Sequence, residues 1–249
     1  FTADINNLPY KPGQIGASGL FSESGISTLV AYVEEKDGVL SLVDVAPREG
    51  PGKPISEGNR RLTNFGIPHM PQQELIMADE VQGVRVFGSE NAAEVVQVRI
   101  NEKLTQARMN IDYTVEAHRV KAVKGTHVDV NGDDASLFTI FNVTQQTHAL
   151  GLHATNRSQI RKKMHEVRVK VRTGLGGVPW SGLHVYCGDA FWQELIDDKD
   201  TRDTYLSQVA ANELRGDPSQ SFNAFGAMWE WYEGTTDANF GSDAYAVPT

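Results

Sequence analysis

The stretch that decides the fold is residues 89–125, SENAAEVVQVRINEKLTQARMNIDYTVEAHRVKAVKG. Its apolar residues recur at spacings that alternate between three and four, which is the pattern of one helix face. They are Ile100, Leu104, Ala107, Ile111 and Val115, and the stripe continues through His118 to Ala122. The pattern predicts one long helix over about 89–124, on the order of 50 Å long at about 1.5 Å per residue.

Both ends of this predicted helix carry terminal signals. Ser89 is an N-cap candidate, and Glu90 follows it in the first turn, where a carboxylate suits the helix dipole. Lys121 and Lys124 lie near the other end, just before Gly125, in the place of the glycine that often follows a helix. We interpret this helix as the spine of the molecule.

The composition predicts a soluble protein that is large enough to bury a core. The chain has 249 residues, of which 40% are hydrophobic, and a mean hydropathy of -0.36. Its 23 basic and 32 acidic residues give a net charge of -9, which disfavours a general role in binding nucleic acid or anionic membranes.

Two further features of the sequence bear on its compartment. The single cysteine, Cys187, excludes an internal disulfide framework and fits a reducing cytoplasm. No apolar run approaches the length of about 20 residues that a membrane helix needs, and residues 1–20 lack the layout of a signal peptide.

The segments before the spine predict two extended parts. Residues 1–25 are rich in glycine and proline with isolated large apolar residues, so we expect an extended arm that lies on another surface, which a neighbouring subunit could supply. Residues 28–33 and 39–43 are β-rich and flank an Asp-Gly turn, which predicts a hairpin. A proline- and glycine-rich loop and a third extended run, 60–68, follow. Apolar residues on both faces of the first strand require cover, because an isolated ribbon is marginally stable.

The segments after the spine predict a mixed α/β part. An Asn-Gly turn at 131–132 separates short β-like runs, and 136–143 is β-prone. Residues 156–172 predict a helix, and 183–186 predict a buried strand that feeds a helix at 191–196 with Asp189 as its N-cap. The glycines at 174–177 follow a helix rather than a strand, so they predict a turn and not a phosphate loop. Residues 222–233 are aromatic and β-like, and we identify no closing element after 246–249.

Candidate chemistry is sparse. None of the seven histidines has zinc-motif spacing to another ligand type. They are His69, His118, His127, His148, His153, His165 and His184. Asp129, Asn131 and Asp133 are similar to part of a calcium loop, but the glycine is misplaced and no glutamate stands at the twelfth position.

Cys187 precedes a predicted helix N-terminus, where a thiol pKa can fall, so a nucleophile is the alternative interpretation. His184 would point to the opposite face of the strand. His118 lies on the spine stripe as an interior or interface histidine, and the carboxylate pairs at 34–35 and 197–198 suit a charged surface or turn. We predict no catalytic, cofactor-binding or metal-binding residue.

A cluster of basic residues lies within 157–172, and we interpret it as a solvated face. Its members are Arg157, Arg161, Lys162, Lys163, Arg168, Lys170 and Arg172.

The order of arm, β-arm, long helix and α/β part resembles the major capsid proteins of tailed bacteriophages, of the lambda-type E family with the HK97 fold. The resemblance spans essentially the whole chain, and 77–88 is its most specific part. The matching strings are 10–16 (YKPGQIG), 20–21 (LF), 35–43 (EKDGVLSLV), 46–48 (APR), 67–69 (IPH), 77–85 (MADEVQGVR), 87–88 (FG), 101–104 (NEKL), Glu116, 118–119 (HR) and 122–125 (AVKG).

The resemblance implies an α+β fold with four parts. These are an N-terminal arm at 1–26, an E-loop β-arm at 27–76, a P domain at 77–140 that contains the spine helix, and an α/β A domain at 141–249. Family members continue into further strands that complete the A domain, so we expect the chain to be a truncated form.

The resemblance also implies a function without catalysis. The chain would self-assemble through hexameric and pentameric capsomers into an icosahedral head shell that encloses double-stranded DNA without reading its sequence. Scaffolding, portal and decoration proteins would be its partners, and it would be made in the host cytoplasm and reside in the virion. The alternatives are a soluble α/β enzyme that uses Cys187, and a tail or decoration protein.

Overall fold

The computed structural model describes residues 13–36, 60–78, 96–153, 159–176, 178–209, 220–235 and 238–249. Its helices are α1 (Gln14–Ala17), α2 (Val96–Val123), α3 (Leu137–Ile140), α4 (Gln159–Gly174), α5 (Asp189–Asp197) and α6 (Lys199–Val209). Its strands are β1 (Val30–Lys36), β2 (Arg60–Gly66), β3 (Thr126–Val128), β4 (Asp134–Ser136), β5 (Leu183–Cys187), β6 (Ser221–Ala224), β7 (Ala227–Trp231) and β8 (Ala244–Pro248). The mixture of helices and strands fits the predicted α+β class.

The predicted spine is present as the 28-residue helix α2, about 40 Å long. Gly125 follows it with a φ of 85°, a left-handed conformation that favours glycine, so the predicted C-terminal signal is confirmed. The proposed cap Ser89 and the first predicted turns lie outside the described residues.

The packed face of α2 differs from the predicted stripe. The residues that contact the core are Tyr113, Glu116, Ala117, Val120 and Val123, whereas Leu104 of the predicted stripe is 64% exposed. The prediction was wrong about this face because it excluded a charged residue, and Glu116 is buried where its carboxylate has hydrogen-bond donors. In the part of the chain that the structure describes, α2 is therefore anchored in the core through its C-terminal part.

A four-stranded mixed sheet forms the centre of the described fold. Its strand order is β6-β7-β5-β8, with β5 parallel to β7 and the other neighbours antiparallel. Alternate residues of β5 point to opposite faces, so that Val185 lies in one core with α4 and α5, while Tyr186 lies in another with α1 and α2. The sheet is consequently covered on both faces.

Three predicted elements around this sheet are confirmed. Helix α4 buries Ile160 and Met164, the strand β5 feeds directly into α5, and the aromatic run near the end forms the hairpin β6–β7. Strand β8, which pairs with β5 as an edge strand, was not predicted from the sequence. Pro248 weakened the strand signal, yet proline is tolerated at the end of an edge strand.

The described N-terminal segment begins with a helical turn, where the sequence predicted an extended arm. Residues Gln14–Ala17 form a short helix, and Ile15 is fully buried in the chain's own core. The cause is Glu116, whose Oε1 accepts a hydrogen bond from the Ile15 N–H at 2.8 Å and whose Oε2 accepts one from the Gly16 N–H at 3.1 Å. A carboxylate from α2 thus caps the first turn of α1.

Further contacts fix the same segment on the sheet. Gln14 Nε2 donates to the Trp231 carbonyl at 3.0 Å, and Gln14 Oε1 accepts from the Glu233 N–H at 2.8 Å. Arg119 donates to Glu23 at 2.5 Å and to Glu116 at 3.3 Å. Residues 13–23 are therefore part of the folded unit rather than a free arm, and residues 1–12 lie outside the described part.

Strands β1 and β2 form a separate two-stranded antiparallel ribbon in which Tyr32 lies opposite Asn64. The predicted hairpin strand at 39–43 and its Asp-Gly turn lie outside the described residues. One face of the ribbon meets the rest of the chain through Phe65, whose ring lies 5.3 Å from His127 and 5.8 Å from Phe141. Arg61 adds a hydrogen bond to the Ile140 carbonyl at 3.0 Å.

The segment after the spine folds into the predicted turn and an unpredicted helix. Strands β3 and β4 pair across the Asn-Gly turn, as expected. The run from 137 is helical rather than extended, because the Ser136 hydroxyl accepts the Thr139 N–H and caps α3. Phe138 of α3 lies so close to Gly125 that a β-carbon there would approach its ring to 2.2 Å.

Within the residues that the structure describes, none of the helices is both long and apolar enough to cross a membrane.

The Glu116 cap generates a stability prediction. Glu116→Ala leaves two backbone N–H groups without their acceptor and removes one of the two carboxylates that Arg119 contacts, so we expect a loss of about 2–4 kcal/mol in the free energy of unfolding. Urea denaturation measures this loss. Glu102→Ala is the control on the same helix, because it removes only an exposed pair with Arg99 and should cost less than about 0.5 kcal/mol. Equal losses would contradict the structural role of Glu116.

Substitution of two glycines distinguishes the cost of backbone strain from the cost of overpacking. Gly125 and Gly132 have φ values of 85° and 88°, but only Gly125 lies against another side chain. Gly132→Ala should cost about 1–2 kcal/mol from strain, and Gly125→Ala should cost about 1–3 kcal/mol more from overpacking against Phe138. Thermal and urea unfolding of both variants test this order, and a smaller loss for Gly125→Ala would refute it.

Candidate functional site

Cys187, the candidate nucleophile, is buried at the end of β5 with no exposed surface. Its thiol lies 3.8 Å from the Val185 carbonyl oxygen and faces the core formed with α4 and α5. Burial, and secondarily the charge of Glu230, raises the pKa of this thiol far above its usual range. The sulfur therefore stays protonated and out of reach of a substrate.

His184 does not assist Cys187. As predicted, it lies on the opposite face of β5, where its ring stacks on Tyr186 at 4.4 Å. Its Nε2 is 2.7 Å from Glu230 Oε2, and Glu230 Oε1 in turn accepts from Gln14 Nε2 at 3.3 Å. This chain of polar contacts joins α1 to the sheet and has a structural role.

The other histidines are dispersed. His148 and His153 pair with Glu166 and Glu194 at 3.1 Å and 2.6 Å, while His127 packs on Phe65. His118 is half-buried on α2, as expected of an interior or interface histidine. Burial of the His118 ring and, secondarily, the nearby Lys121 ammonium lower its pKa, although the carboxylate of Asp134 acts in the opposite direction.

In the loop that is similar to a calcium site, the first carboxylate accepts hydrogen bonds from the backbone of the same loop. Asp129 Oδ1 accepts hydrogen bonds from the N–H groups of Asn131 at 2.8 Å and Asp133 at 3.0 Å. These backbone bonds, that of Asp133 above all, lower the pKa of Asp129. The described residues contain no cluster of three or more His, Cys, Asp or Glu side chains with metal-site geometry.

Two acidic residues near α5 differ in part from their predictions. Asp198 lies in the turn between α5 and α6, one of its two predicted settings, but it is buried, because its carboxylate accepts the His153 N–H at 2.6 Å and the Asp200 N–H at 2.9 Å. Asp189 is the first residue of α5 and not its cap. Its Oδ1 accepts the Trp231 indole N–H at 2.8 Å.

Sequence reasoning missed Glu116, Gln14 and Asp198 as structural polar residues. Glu116 does have a local signal, since it lies four residues before Val120 and three after Tyr113 on the packed face. The partners of Gln14 and Asp198 are distant in sequence, and no local pattern reveals them.

The surface features of the described residues lie elsewhere. The ribbon exposes apolar side chains, with Leu29 at 86%, Leu62 at 65% and Tyr32 at 64% exposure. The N-terminal part of α2 exposes Val96 and Leu104. The basic residues of α4 are mostly exposed, as the predicted solvated face requires, and Arg157 lies outside the described part. These surfaces can bind other macromolecules, but they contain no groups arranged for catalysis.

The burial of Cys187 predicts its reactivity. In the native protein at pH 8, labelling by iodoacetamide should be on the order of 100-fold slower than in denaturant, because the thiol must be exposed and ionised to react. Mass spectrometry of timed samples measures the rate. Rapid labelling of the native protein would contradict the structure, and Cys187→Ala is the control for reaction at other side chains.

Two comparisons with known proteins bear on the role of this chain. Residues 1–249 match the family described as phage major capsid protein E. The chain is also similar to the major capsid protein of Salmonella phage Felix O1 (isolate Felix O1-VT1), with 29% identity over 215 residues that cover 83% of this chain and 57% of the relative. The chain thus spans a little over half the length of that curated relative. Since the family match extends over the whole sequence, the chain belongs to the phage major capsid protein E family.

Proposed function

We propose that this chain is part of a subunit that self-assembles into the shell of a phage head. The observation that carries the proposal is the β1–β2 ribbon, which leaves large apolar side chains uncovered in the single chain. Family membership supports the proposal, because the family is one of structural shell proteins.

One face of the ribbon is suited to an intersubunit contact. Tyr32 lies opposite Asn64, and Leu62 lies opposite Glu34, so that Tyr32 and Leu62 are diagonal neighbours on the same face. Phe65 belongs to the other face, which packs on the chain's own residues. A two-stranded ribbon covered on only one face is marginally stable alone. A second copy that covers Tyr32 and Leu62 would therefore link folding to assembly.

The spine supports the same conclusion. Its C-terminal part is anchored through Glu116 and Val120, whereas Leu104, three turns earlier, is 64% exposed. A rigid helix anchored at one end can carry contacts well beyond the core of its own domain. We assign α2 to the role of a beam between the folded core and adjacent parts of the shell.

The finer architecture of the proposal is the HK97 fold. We assign 1–26 to the N-terminal arm, 27–76 to the E-loop, 77–140 to the P domain and 141–249 to the A domain. The described part of the arm differs from a freely extended segment, as Ile15 is fixed in the core. In this assignment the mixed sheet belongs to the A domain, and its contacts with α1 and α2 join the A domain to the spine.

The proposed shell consists of hexameric and pentameric capsomers and encloses double-stranded DNA in the virion. The net charge of -9 favours a wall that does not hold the DNA tightly, because every neutralised phosphate would add affinity. Scaffolding, portal and decoration proteins are the proposed partners, and the host cytoplasm is the proposed place of synthesis.

The two alternatives have less support. An enzyme that uses Cys187 conflicts with the buried thiol and with membership of a structural family. A tail or decoration protein would not need so long a spine, and the family description refers to the major capsid protein.

The ribbon contact can be tested in the full-length protein. Tyr32→Asp combined with Leu62→Asp should lower the free energy of unfolding of the monomer by no more than about 1–2 kcal/mol, because both side chains are exposed and the main cost is the repulsion between Glu34 and the new carboxylate opposite it. The same variant should lose assembly, because it places two carboxylates in a desolvated contact. Electron microscopy and sedimentation velocity measure assembly, and urea denaturation measures stability.

Tyr32→Phe combined with Leu62→Ile is the matched control, because it retains the apolar area and should assemble normally. Wild-type assembly by the aspartate variant would refute the ribbon contact. A stable monomer as the only state of the unsubstituted full-length protein would refute the proposed function itself.

A further inference from the structure

Helix α4 has a charge opposite to that of the rest of the chain. Six of the 23 Lys and Arg residues lie in it, but only one of the 32 Asp and Glu residues. The remaining chain therefore carries 17 basic and 31 acidic residues. A basic helix on an acidic protein is a defined charged patch, and charge complementarity can identify what it binds.

The two flanks of α4 have different environments. On one flank, Glu166 lies 3.1 Å from His148, and Lys170 donates to the Thr147 carbonyl at 3.4 Å. This flank holds the segment 147–153 beside the helix. The same segment continues to His153, which contacts Glu194 of α5 at 2.6 Å. The segment 147–153 thus lies between α4 and α5 over one face of the sheet.

The other flank consists of Arg161, Arg168 and Arg172, which we call the arginine flank. These residues recur at seven and four positions, so they lie in one row along the helix, on the side opposite Glu166 and Lys170. All three are exposed. Arg168 lies 5.5 Å from the Trp180 ring, which holds one guanidinium in place. Arginine in such a row suits multiple contacts with carboxylates or phosphates.

The acidic counterpart is on α5 and α6. Residues 189–204 contain six carboxylates and two basic residues, and Asp197 and Asp203 are exposed there. The Asp197 carboxylate is 78% exposed and lies 3.8 Å from the guanidinium of Arg202, which is 65% exposed; this is a weak contact that another cation can replace. We call Asp197 and Asp203 the acidic flank.

One chain cannot bring its own two flanks together, because the segment 147–153 and the body of α4 lie between them. A second copy of the chain, placed beside the first, can bring its acidic flank against the arginine flank. Two different complementary patches on one subunit produce a head-to-tail contact, which closes into a ring when the rotation is suitable.

We propose that the arginine flank of α4 binds the acidic flank of α5–α6 on a neighbouring copy of this chain. The proposal rests on the proposed shell function and identifies a contact within its capsomers. A second copy is a better occupant than DNA, because the 31 acidic residues outside α4 supply carboxylates to the arginines and repel a polyanion.

The test is a charge swap in the full-length protein, followed by sedimentation velocity and electron microscopy. Arg161→Glu with Arg172→Glu should reduce assembly by about tenfold or more, because like charges then face each other. Adding Asp197→Arg and Asp203→Arg to that variant should restore assembly. Higher salt should weaken the contact in the unsubstituted protein.

Lys162→Glu is the matched control for the single variant Arg161→Glu. It makes the same change in net charge at the adjacent exposed position of the same helix, away from the arginine flank, and should assemble normally, whereas Arg161→Glu should reduce assembly. Circular dichroism establishes that each variant is folded. If Arg161→Glu with Arg172→Glu does not fold, Asp197→Arg with Asp203→Arg tests the same contact from its other side and should also block assembly.

Three results would overturn the inference. The first is normal assembly of Arg161→Glu with Arg172→Glu, and the second is failure of the four-residue swap to restore assembly. The third is that Arg161→Glu with Arg172→Glu assembles normally but binds a short DNA duplex less well than the unsubstituted protein does. The last result would assign the arginine flank to DNA. Each leaves the shell function standing, whereas an unsubstituted protein that never assembles would refute that function together with this contact.

Discussion

The carboxylate of Glu116 is the interaction on which the arrangement of the described core depends. It is buried, and it accepts hydrogen bonds from two backbone N–H groups at the start of α1. A buried charge is strongly unfavourable unless such donors surround it, and the donors in turn need an acceptor. Each partner therefore requires the other, and the contact sets where the N-terminal segment meets the spine.

The position of α1 then allows the sheet to be covered on both faces. Ile15 enters the core between α2 and the sheet, and Gln14 forms hydrogen bonds to the backbone of Trp231 and Glu233. On the opposite face, α4 and α5 bury Met164 and Trp192. Among the described residues, the core holds α2 through its C-terminal part, so the exposed apolar side chains of its N-terminal part and of the ribbon are available for contacts between subunits.

Periodicity and terminal signals in the sequence predicted the main elements of this fold. The long helix with Gly125 at its end, the helix α4, the strand β5 with its following helix, and the hairpin β6–β7 are all determined by local patterns. Sequence-based prediction failed where a distant partner overrides local preference, and also where a local helix cap was overlooked. The polarity of Glu116 concealed its burial, Gly13 and Gly16 concealed a helical turn, and the Ser136 cap converted a β-prone run into α3.

The functional prediction likewise succeeded where the sequence carries a local signal and failed where tertiary structure decides. The family resemblance in strings such as 77–85 was sufficient to identify a capsid protein, and family membership confirms it. The alternation of β5 correctly separated Cys187 from His184. The proposed complementarity of the arginine flank and the acidic flank could not be predicted from the sequence. It depends on the position of the segment 147–153 between α4 and α5, which is a property of the tertiary structure.

The contacts of Gln14 also have a consequence for the timing of folding. Its partners Trp231 and Glu233 lie 217 and 219 residues later in the chain. At roughly 5–20 residues per second, translation of that interval takes on the order of 10–40 s. Throughout this time Ile15 and its neighbours have no completed sheet to join, and the N-terminal segment must wait for β7 to leave the ribosome.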